Sequence, residues 1–534
     1  MSMSASSAKI EANIALMNSL ESFDVVIVCC GKPAEAKYWQ ARLSKGRGSV
    51  IKESTTVLAV HEDWPGGAGN ALGTMYAYQN AAKLAAAEFS LDLDAKLGAG
   101  EISVALYHTA GKGTRMAPLP GAENNNKPGV KLPASVQLEG ASHPITILES
   151  VVKQTGCYAA SRLGRLSVFW GDQVFIPTVD VAYTPSYHAD ILCTLGPMMN
   201  EEEWAEKGMD KYGLIALTQS GKAAQVEKVT HSQALDLLQH LDAIQSVGAS
   251  LGSFSVSNQM LFALLTEFAD DLAAKQGKLD SDPHLWMPMT LERAAYIGVM
   301  LGKGVTEEVA GAHFDRIGAM MAKFHAVEAN ASMGVFGPVD VGQGICWWDY
   351  GQLPLYQKFS LLMLGEGDES KFMRSYFRVA ESDRQQGSTL DEGTDVCSNS
   401  VVNVSSVRSG AVKGSVLTNV FCKNIDADGC ILMNVTADSI VAKPGSIIYN
   451  IVSTEALVAE AGDVITGVTT ADGTQTIIRS KMSIDGGKVW DSKVEGNEFT
   501  FGQVHGTVNA TADPSELESI NARLHAEARE TISK

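Results

Sequence analysis

Val104-Ala-Leu-Tyr-His-Thr-Ala-Gly-Lys-Gly-Thr-Arg-Met116 is the stretch on which the reading turns. An apolar strand pattern from Ile102 to His108 breaks into a glycine turn carrying Lys112 and Arg115. The polar run from Asn124 to Pro133 then adds Lys127 and Lys131. Glycines let backbone N–H groups approach phosphate oxygens, and cations neutralise charge that moves during phosphoryl chemistry. The stretch therefore has the makings of a triphosphate cradle. The plainer reading is a strand-to-helix turn with surface cations.

Working outward, Phe23 to Cys30 is a continuous apolar run, as expected of a strand buried on both faces of a parallel sheet. Before it, residues 1–22 carry Ile10, Ile14, Met17 and Leu20 on one helical face. After it, Gly31-Lys-Pro33 opens a helix to about Lys45, and Thr55 to Val60 reads as a second strand. His61 to Asn70 forms a turn containing Gly66, Gly67, Ala68 and Gly69, and a long helix follows to about Phe89. This alternation predicts a doubly wound, Rossmann-like α/β domain whose ligand loops lie at the C-terminal ends of the strands.

Past Pro133 comes a helix near 145–160, then a strand from Leu166 to Trp170 ending in Gly171-Asp172. An acid there is a metal or ligand contact, or merely a helix N-cap. Tyr212–Thr218, containing Gly213, and Ala224–Val229, containing Glu227-Lys228, read as strands, as does Val247–Val256 with Gly252. Residues 258–330 are helical in pattern and read as a supporting insertion without chemistry. Cys346-Trp-Trp-Asp349-Tyr-Gly-Gln352 precedes a helix over Leu355–Leu364.

At 534 residues the chain exceeds a single core. The expected division is an α/β domain over 1–386, a β-rich domain over 387–510 and a terminal helix over 511–534, read within it as Pro514–Ile532. From Asn399 to Val452 apolar residues recur six apart (Ile425 and Ile431; Val435, Val441 and Ile447), which predicts a β-helix, with a β-sandwich as the alternative. Residues 453–510 are expected to continue as β-rich, turn-punctuated sequence. A net charge of −19 argues against nucleic-acid binding and leaves an anionic substrate dependent on a local cationic pocket. No apolar run is long enough to span a membrane, and Met1 to Lys9 lacks the features of a secretory signal. The eight cysteines are scattered without metal-ligand spacing, which points to reduced thiols in the cytoplasm and no structural metal.

Together these residues resemble the sugar-1-phosphate nucleotidylyltransferase (pyrophosphorylase) family, whose members often carry a C-terminal β-helix. Gly111-Lys-Gly-Thr-Arg115-Met116 looks like its G-x-G-T-R-[LM] loop, and Gly171-Asp172 resembles its first metal aspartate. Glu227-Lys228 resembles the E-K-P segment, with Val229 in place of proline, and Trp348-Asp349-Tyr-Gly351-Gln352 resembles the segment bearing the second metal aspartate. In this chain the strand pair and the Gly66–Leu72 turn precede the loop instead of following it. The resemblance is therefore to a circularly permuted member, in the layout of fucose-1-phosphate guanylyltransferases.

The resemblance implies transfer of a nucleotidyl group from a nucleoside triphosphate to a sugar 1-phosphate, giving a nucleotide-sugar (GDP-fucose or a related GDP- or UDP-sugar) and pyrophosphate. It implies that Gly111, Lys112, Gly113, Thr114 and Arg115 hold the triphosphate and that Gly66, Gly67, Ala68 and Gly69 admit the base. It further implies that Arg115 and Lys127 are catalytic, with Lys131 the competing lysine. Glu227, Lys228, Gly213 and Gly252 would bind the sugar phosphate, and Asp172 and Asp349 would hold Mg²⁺. Exposed β-rungs make a homo-oligomer through the β-helix an expectation. The alternative function is a non-catalytic nucleotide-sugar-binding regulatory or assembly subunit.

Overall fold

The computed structural model describes residues 5–239 and 241–534. Every residue of β1 (Val25–Cys30) is buried, because helices cover both faces of its sheet. Val26, Val28 and Cys30 face a core shared with Trp39 and Leu43, whereas Val25, Ile27 and Cys29 face a second core with Leu72 and Tyr78. A strand buried on both sides must be apolar at every position, which is why no alternation is visible in its sequence.

Strands β2 (Thr56–His61) and β3 (Val104–His108) flank β1 in parallel. The hairpin of β4 (Lys131–Leu138) and β5 (Ala141–Thr146) precedes β6 (Arg165–Trp170), which pairs in parallel with β3. After β7 (Gln173–Ile176) come β8 (Tyr187–Gly196), β9 (Gly213–Thr218), β10 (Ala223–Glu227), β11 (Ile244–Ser257), β12 (Gly334–Asp340) and β13 (Cys346–Asp349). The main sheet runs β10-β9-β11-β6-β3-β1-β2, with β8 and β12 joined through β11. Strand β11 is antiparallel to β6, so the sheet is mixed rather than wholly parallel.

The β4–β5 hairpin and β8 add strands absent from the sequence reading, and β8 lies inside the sheet. The first helix ends at Asn18, and Leu20 sits beyond it at φ +63°, off the predicted face. No helix among the described residues is long and apolar enough to cross a membrane.

The C-terminal region is a second, sheet-rich unit: β14 (Thr389–Val396), β15 (Val401–Asn403), β16 (Ser406–Lys413), β17 (Val416–Asp428), β18 (Ile431–Ala442), β19 (Ile447–Val452), β20 (Ala456–Ala459), β21 (Asp463–Thr469) and β22 (Gln475–Lys481). Pairing is parallel except between β21 and β22, and the sheet stays open. Ser406 pairs with Phe421, Val416 with Ile431, and Ile431 with Ile447, so the register repeats every 15 to 16 residues instead of six. Only Gly429-Cys430 separates β17 from β18, far too little for a straight parallel crossover. The strands must therefore bend, and Asn419, Asn434 and Asn450 take left-handed φ values of 55°, 54° and 57°. Asparagine tolerates that conformation. Its amides also stack: Asn419 Nδ2 donates to Asn434 Oδ1 at 2.6 Å, and Asn434 Nδ2 to Asn450 Oδ1 at 2.5 Å.

One side of this sheet, including Ile431, Met433 and Tyr449, packs into the first core of the α/β region. Beyond Lys481 the strands stop, and turns and short helices lead to the terminal helix Pro514–Ser533, correcting the expectation of β structure to 510.

The register predicts an intolerant position. Gly410 lies opposite Ile425 at φ +115°, and a Cβ there would stand 1.9 Å from the Ile425 carbonyl oxygen. Gly410→Ala is expected to lower unfolding free energy by about 2 kcal/mol or more in chemical denaturation. Unchanged stability would contradict this register.

Candidate functional site

The parallel strands deliver their loops to one edge. Cys29 pairs with both Val60 and His108, and His108 with Trp170, so the segments after β1, β2, β3 and β6 leave the sheet together. The loop after β3 leaves Gly111 and Lys112 exposed, and Thr114–Met116 makes a helical turn that presents Arg115 to solvent. Gly113 has φ +63°, and a Cβ there would stand 3.2 Å from Lys127 Cβ. Asn124 and Asn125 take left-handed backbones that turn the chain back, so Lys127 comes to lie beneath the loop.

Lys127 Nζ donates to Asp172 Oδ2 at 2.6 Å. Asp349 is brought alongside by β13, which pairs with β7 so that Asp349 sits opposite Gln173. Tyr350 N–H donates to the Asp172 carbonyl at 2.9 Å, and Gly351 N–H to Asp349 Oδ1 at 2.6 Å. A Cβ at Gly351 would lie 2.9 Å from Asp349 Oδ1 and 3.4 Å from Asp172 Oδ2, so a side chain there would push the Asp349 carboxylate aside. Burial raises the Asp349 carboxyl's pKa and Asp172 adds to the rise, while Lys127 and Arg115 oppose it. One oxygen of each aspartate has no hydrogen-bond partner among the described residues.

Groups of three or more His, Cys, Asp or Glu able to hold a metal are absent among the described residues. Two carboxylates with free oxygens nevertheless suit Mg²⁺, which commonly takes one or two carboxylates and completes its shell with water and substrate phosphates. Lys131 is placed otherwise. Its Nζ contacts Glu123, its backbone N–H donates to Tyr449 Oη at 2.8 Å, and its carbonyl accepts from Tyr356. It is a joint between the two regions.

The second group of predicted residues lies on β9, β10 and β11, and of these Gly252 is the one packed against the end of β6. Gly213 pairs with Glu227, and a Cβ on Gly213 would stand 2.8 Å from Glu227 Oε2. Lys228 is exposed, has φ +54° and bonds Glu227 Oε1 at 2.9 Å. Gly252 sits at the β11 bulge with Trp170 against it, where a Cβ would meet the indole Nε1 at 2.2 Å. It is a packing glycine that supports the strand before Asp172.

The Gly66–Gly69 turn is only partly open. Gly66 and Gly67 have positive φ and free space, and Glu62 Oε1 accepts from Ala68 N–H at 3.0 Å. Gly69, however, presses on the Leu279 carbonyl, and Asp280 Oδ1 accepts from Asn70 N–H at 3.0 Å. Gly69 is therefore a contact with the helical block, not an opening for a base.

That block, read as a supporting insertion, packs against both groups of candidate residues. Its Leu279–Asp282 segment bridges the glycine turn and Glu227-Lys228. Desolvation, with Glu227 beside it, pushes the Asp282 carboxyl up to about 8 against the opposing pull of Lys228. Two acids at one site with a shared lysine show no spacing in sequence. Lys32 was also missed. It caps the helix that follows β1, donates to the Ala510 carbonyl at 3.2 Å, and with Lys112 depresses the pKa of His505 after burial has lowered it. A lysine at the end of a buried parallel strand was the available signal. No protein-family model matches the chain, and no curated protein matches its sequence.

The carboxyl pair predicts a pH effect. Asp282 holds its proton in the folded state up to about pH 8, whereas the unfolded chain releases it near 3.8, so stability falls as pH rises through this window. The slope is at most about 1.4 kcal/mol per pH unit. Denaturation midpoints at pH 6 and pH 8 should fall more in the wild type than in Asp282→Asn. Equal slopes would mean that no proton is retained there.

Proposed function

We propose that the protein is a Mg²⁺-dependent sugar-1-phosphate nucleotidylyltransferase. The observation that carries the reading is the meeting of Lys127, Asp172 and Asp349 beneath the glycine loop that presents Arg115. In the reaction, a sugar 1-phosphate oxygen attacks the α-phosphorus of a nucleoside triphosphate, the bond to the β-phosphate breaks, and pyrophosphate leaves. The nucleophile is already an anion, so no general base is required. The residues have to neutralise charge and align the two phosphates.

The exposed N–H groups at Gly111 to Thr114, with Lys112 and Arg115, hold the triphosphate in this scheme. Lys127 neutralises the transferred phosphoryl group. Asp172 and Asp349 would hold the Mg²⁺, which when bound supplies charge neutralisation and orients the phosphates. Glu227 and Lys228 bind the sugar phosphate, and the open backbone at Gly66 and Gly67 admits the base. The sheet order β2-β1-β3-β6, with the loop strand third in sequence and inside the sheet, supports a circularly permuted nucleotidyltransferase domain.

The repeating 15–16-residue register and the bent strands support a β-helix, whose exposed edge is a surface for homo-oligomers. Eight free thiols support a cytoplasmic location. The permuted layout favours a guanine nucleotide, with GDP-fucose or a related GDP- or UDP-sugar as product.

Pyrophosphate release by purified protein, with Mg²⁺ and a panel of nucleotides and sugar 1-phosphates, is the test. Turnover is expected with at least one pair, falling about 10²–10³-fold in Arg115→Ala and Asp349→Asn with thermal melting retained. Near-wild-type turnover in both variants would overturn the site. Tight nucleotide-sugar binding without turnover would identify a non-catalytic binding subunit instead. The two lysines should separate: Lys127→Ala loses turnover but not stability, and Lys131→Ala loses stability while its folded fraction keeps turning over.

A further inference from the structure

Behind the Lys127 segment lies a cavity of about 300 Å³, enclosed by the terminal helix Pro514–Ser533, the asparagine row and the β4–β5 hairpin. The volume is that of a small-ligand site. Its walls are cationic in a chain whose net charge is −19. Arg42 and Lys131 are neutralised: Arg42 bonds Glu149 and Glu518 at 2.8 Å each, and Lys131 contacts Glu123.

Arg529 is not neutralised. Its Nη2 donates to Asn419 Oδ1 at 3.0 Å, its Nε lies 3.5 Å from Thr436 Oγ1, and it stacks over the Phe421 ring. All three partners are uncharged, and no carboxylate lies within ion-pair distance among the described residues. A part-buried guanidinium keeps its charge, so the wall retains an unpaired cation.

His525 lies one helical turn earlier, on the same face as Arg529. Its Nδ1 is 2.8 Å from Thr436 Oγ1, and its Nε2 has no partner among the described residues. When the Thr436 hydroxyl donates to His525 Nδ1, the ring proton sits on Nε2, a buried donor that no group among the described residues uses. The two carboxylates in the lining, Glu123 and Glu518, are paired with Lys131 and Arg42, so neither supplies the missing anion.

We propose that this cavity is a binding site for the phosphate group of a small metabolite, held by the Arg529 guanidinium and His525 Nε2–H. The site stands apart from the Lys127–Asp172–Asp349 cluster and does not depend on the reaction proposed for it. An occupant would touch Glu123, Asn124 and Asn126, in the segment immediately before Lys127, and so would brace the lysine from behind. It is a regulatory position.

The test is calorimetric titration of the full chain with orthophosphate, in an Arg115→Ala background so that the glycine loop contributes little. Saturable binding is expected, weakened about tenfold or more by Arg529→Gln and also weakened by His525→Gln, with circular dichroism melts establishing that each variant is folded. Should Arg529→Gln fail to fold, His525→Gln decides. Absence of binding in the background protein, or wild-type affinity in the folded cavity variants, would overturn the proposal. Neither result depends on turnover, so failure here leaves the nucleotidylyltransferase reading untouched.

Discussion

The architecture depends on the register of four parallel strands. Because Cys29 aligns with Val60 on one side and His108 on the other, and His108 with Trp170, four separate loops are obliged to start along one edge. The candidate site residues lie along that edge. The helices on both faces are occupied with burying the strands. Lys127 and Asp172 meet since their segments leave neighbouring strands, β3 and β6, at the same level. Asp349 arrives from nearly two hundred residues further on by one antiparallel pairing, β13 on β7, fixed by a glycine that leaves room for two carboxylates.

A second constraint comes from charge. The chain is strongly acidic, yet Lys32, Lys112, Arg115 and Lys127 converge near one loop, and Arg42, Lys131 and Arg529 line one cavity. Acids nearby are arranged to differ in character. Asp172 is ion-paired to Lys127, Asp349 is desolvated and raised, and Asp282 retains a proton beside Glu227. Environments that push like groups apart are a mark of sites where charge is handled, although structural ion-pair networks do the same. The C-terminal region contributes directly: Gly486 packs against the Thr114 carbonyl, and His505 sits beside Lys112, so the loop is supported by both regions.

Much of the α/β half was legible because its signals are local. An apolar run such as Val25–Cys30, a proline after Gly31-Lys32 and a glycine turn before a long helix each dictate their own structure. The strands around the loop accordingly lie within about two residues of expectation, whereas the helix expected near 145–160 ends at Thr155. The hairpin 131–146 was not legible, since its strands mix polar and apolar residues and gain their pairing from contact with Tyr449 and Asn403. The six-residue recurrence misjudged the C-terminal register because inward positions of a bent strand recur several times before the chain returns to the same level. At the candidate site, the loops that follow strands could be located in advance. Asp280 and Asp282 could not, as a helical block shows no sign of which carboxylates it will carry across to Glu227. Gly69 and Gly252 were legible as glycines with a purpose, but the purpose is close packing against Leu279 and Trp170.

The central claim is that the Lys127–Asp172–Asp349 cluster carries out nucleotidyl transfer, and running the reaction backwards tests it most directly. Radiolabelled pyrophosphate would be incubated with the protein, Mg²⁺ and a set of nucleotide-sugars, and label followed into nucleoside triphosphate. The account predicts incorporation from one nucleotide-sugar or a few, abolished in folded Lys127→Met. Incorporation that persists undiminished in Lys127→Met, or none from any nucleotide-sugar, would contradict it.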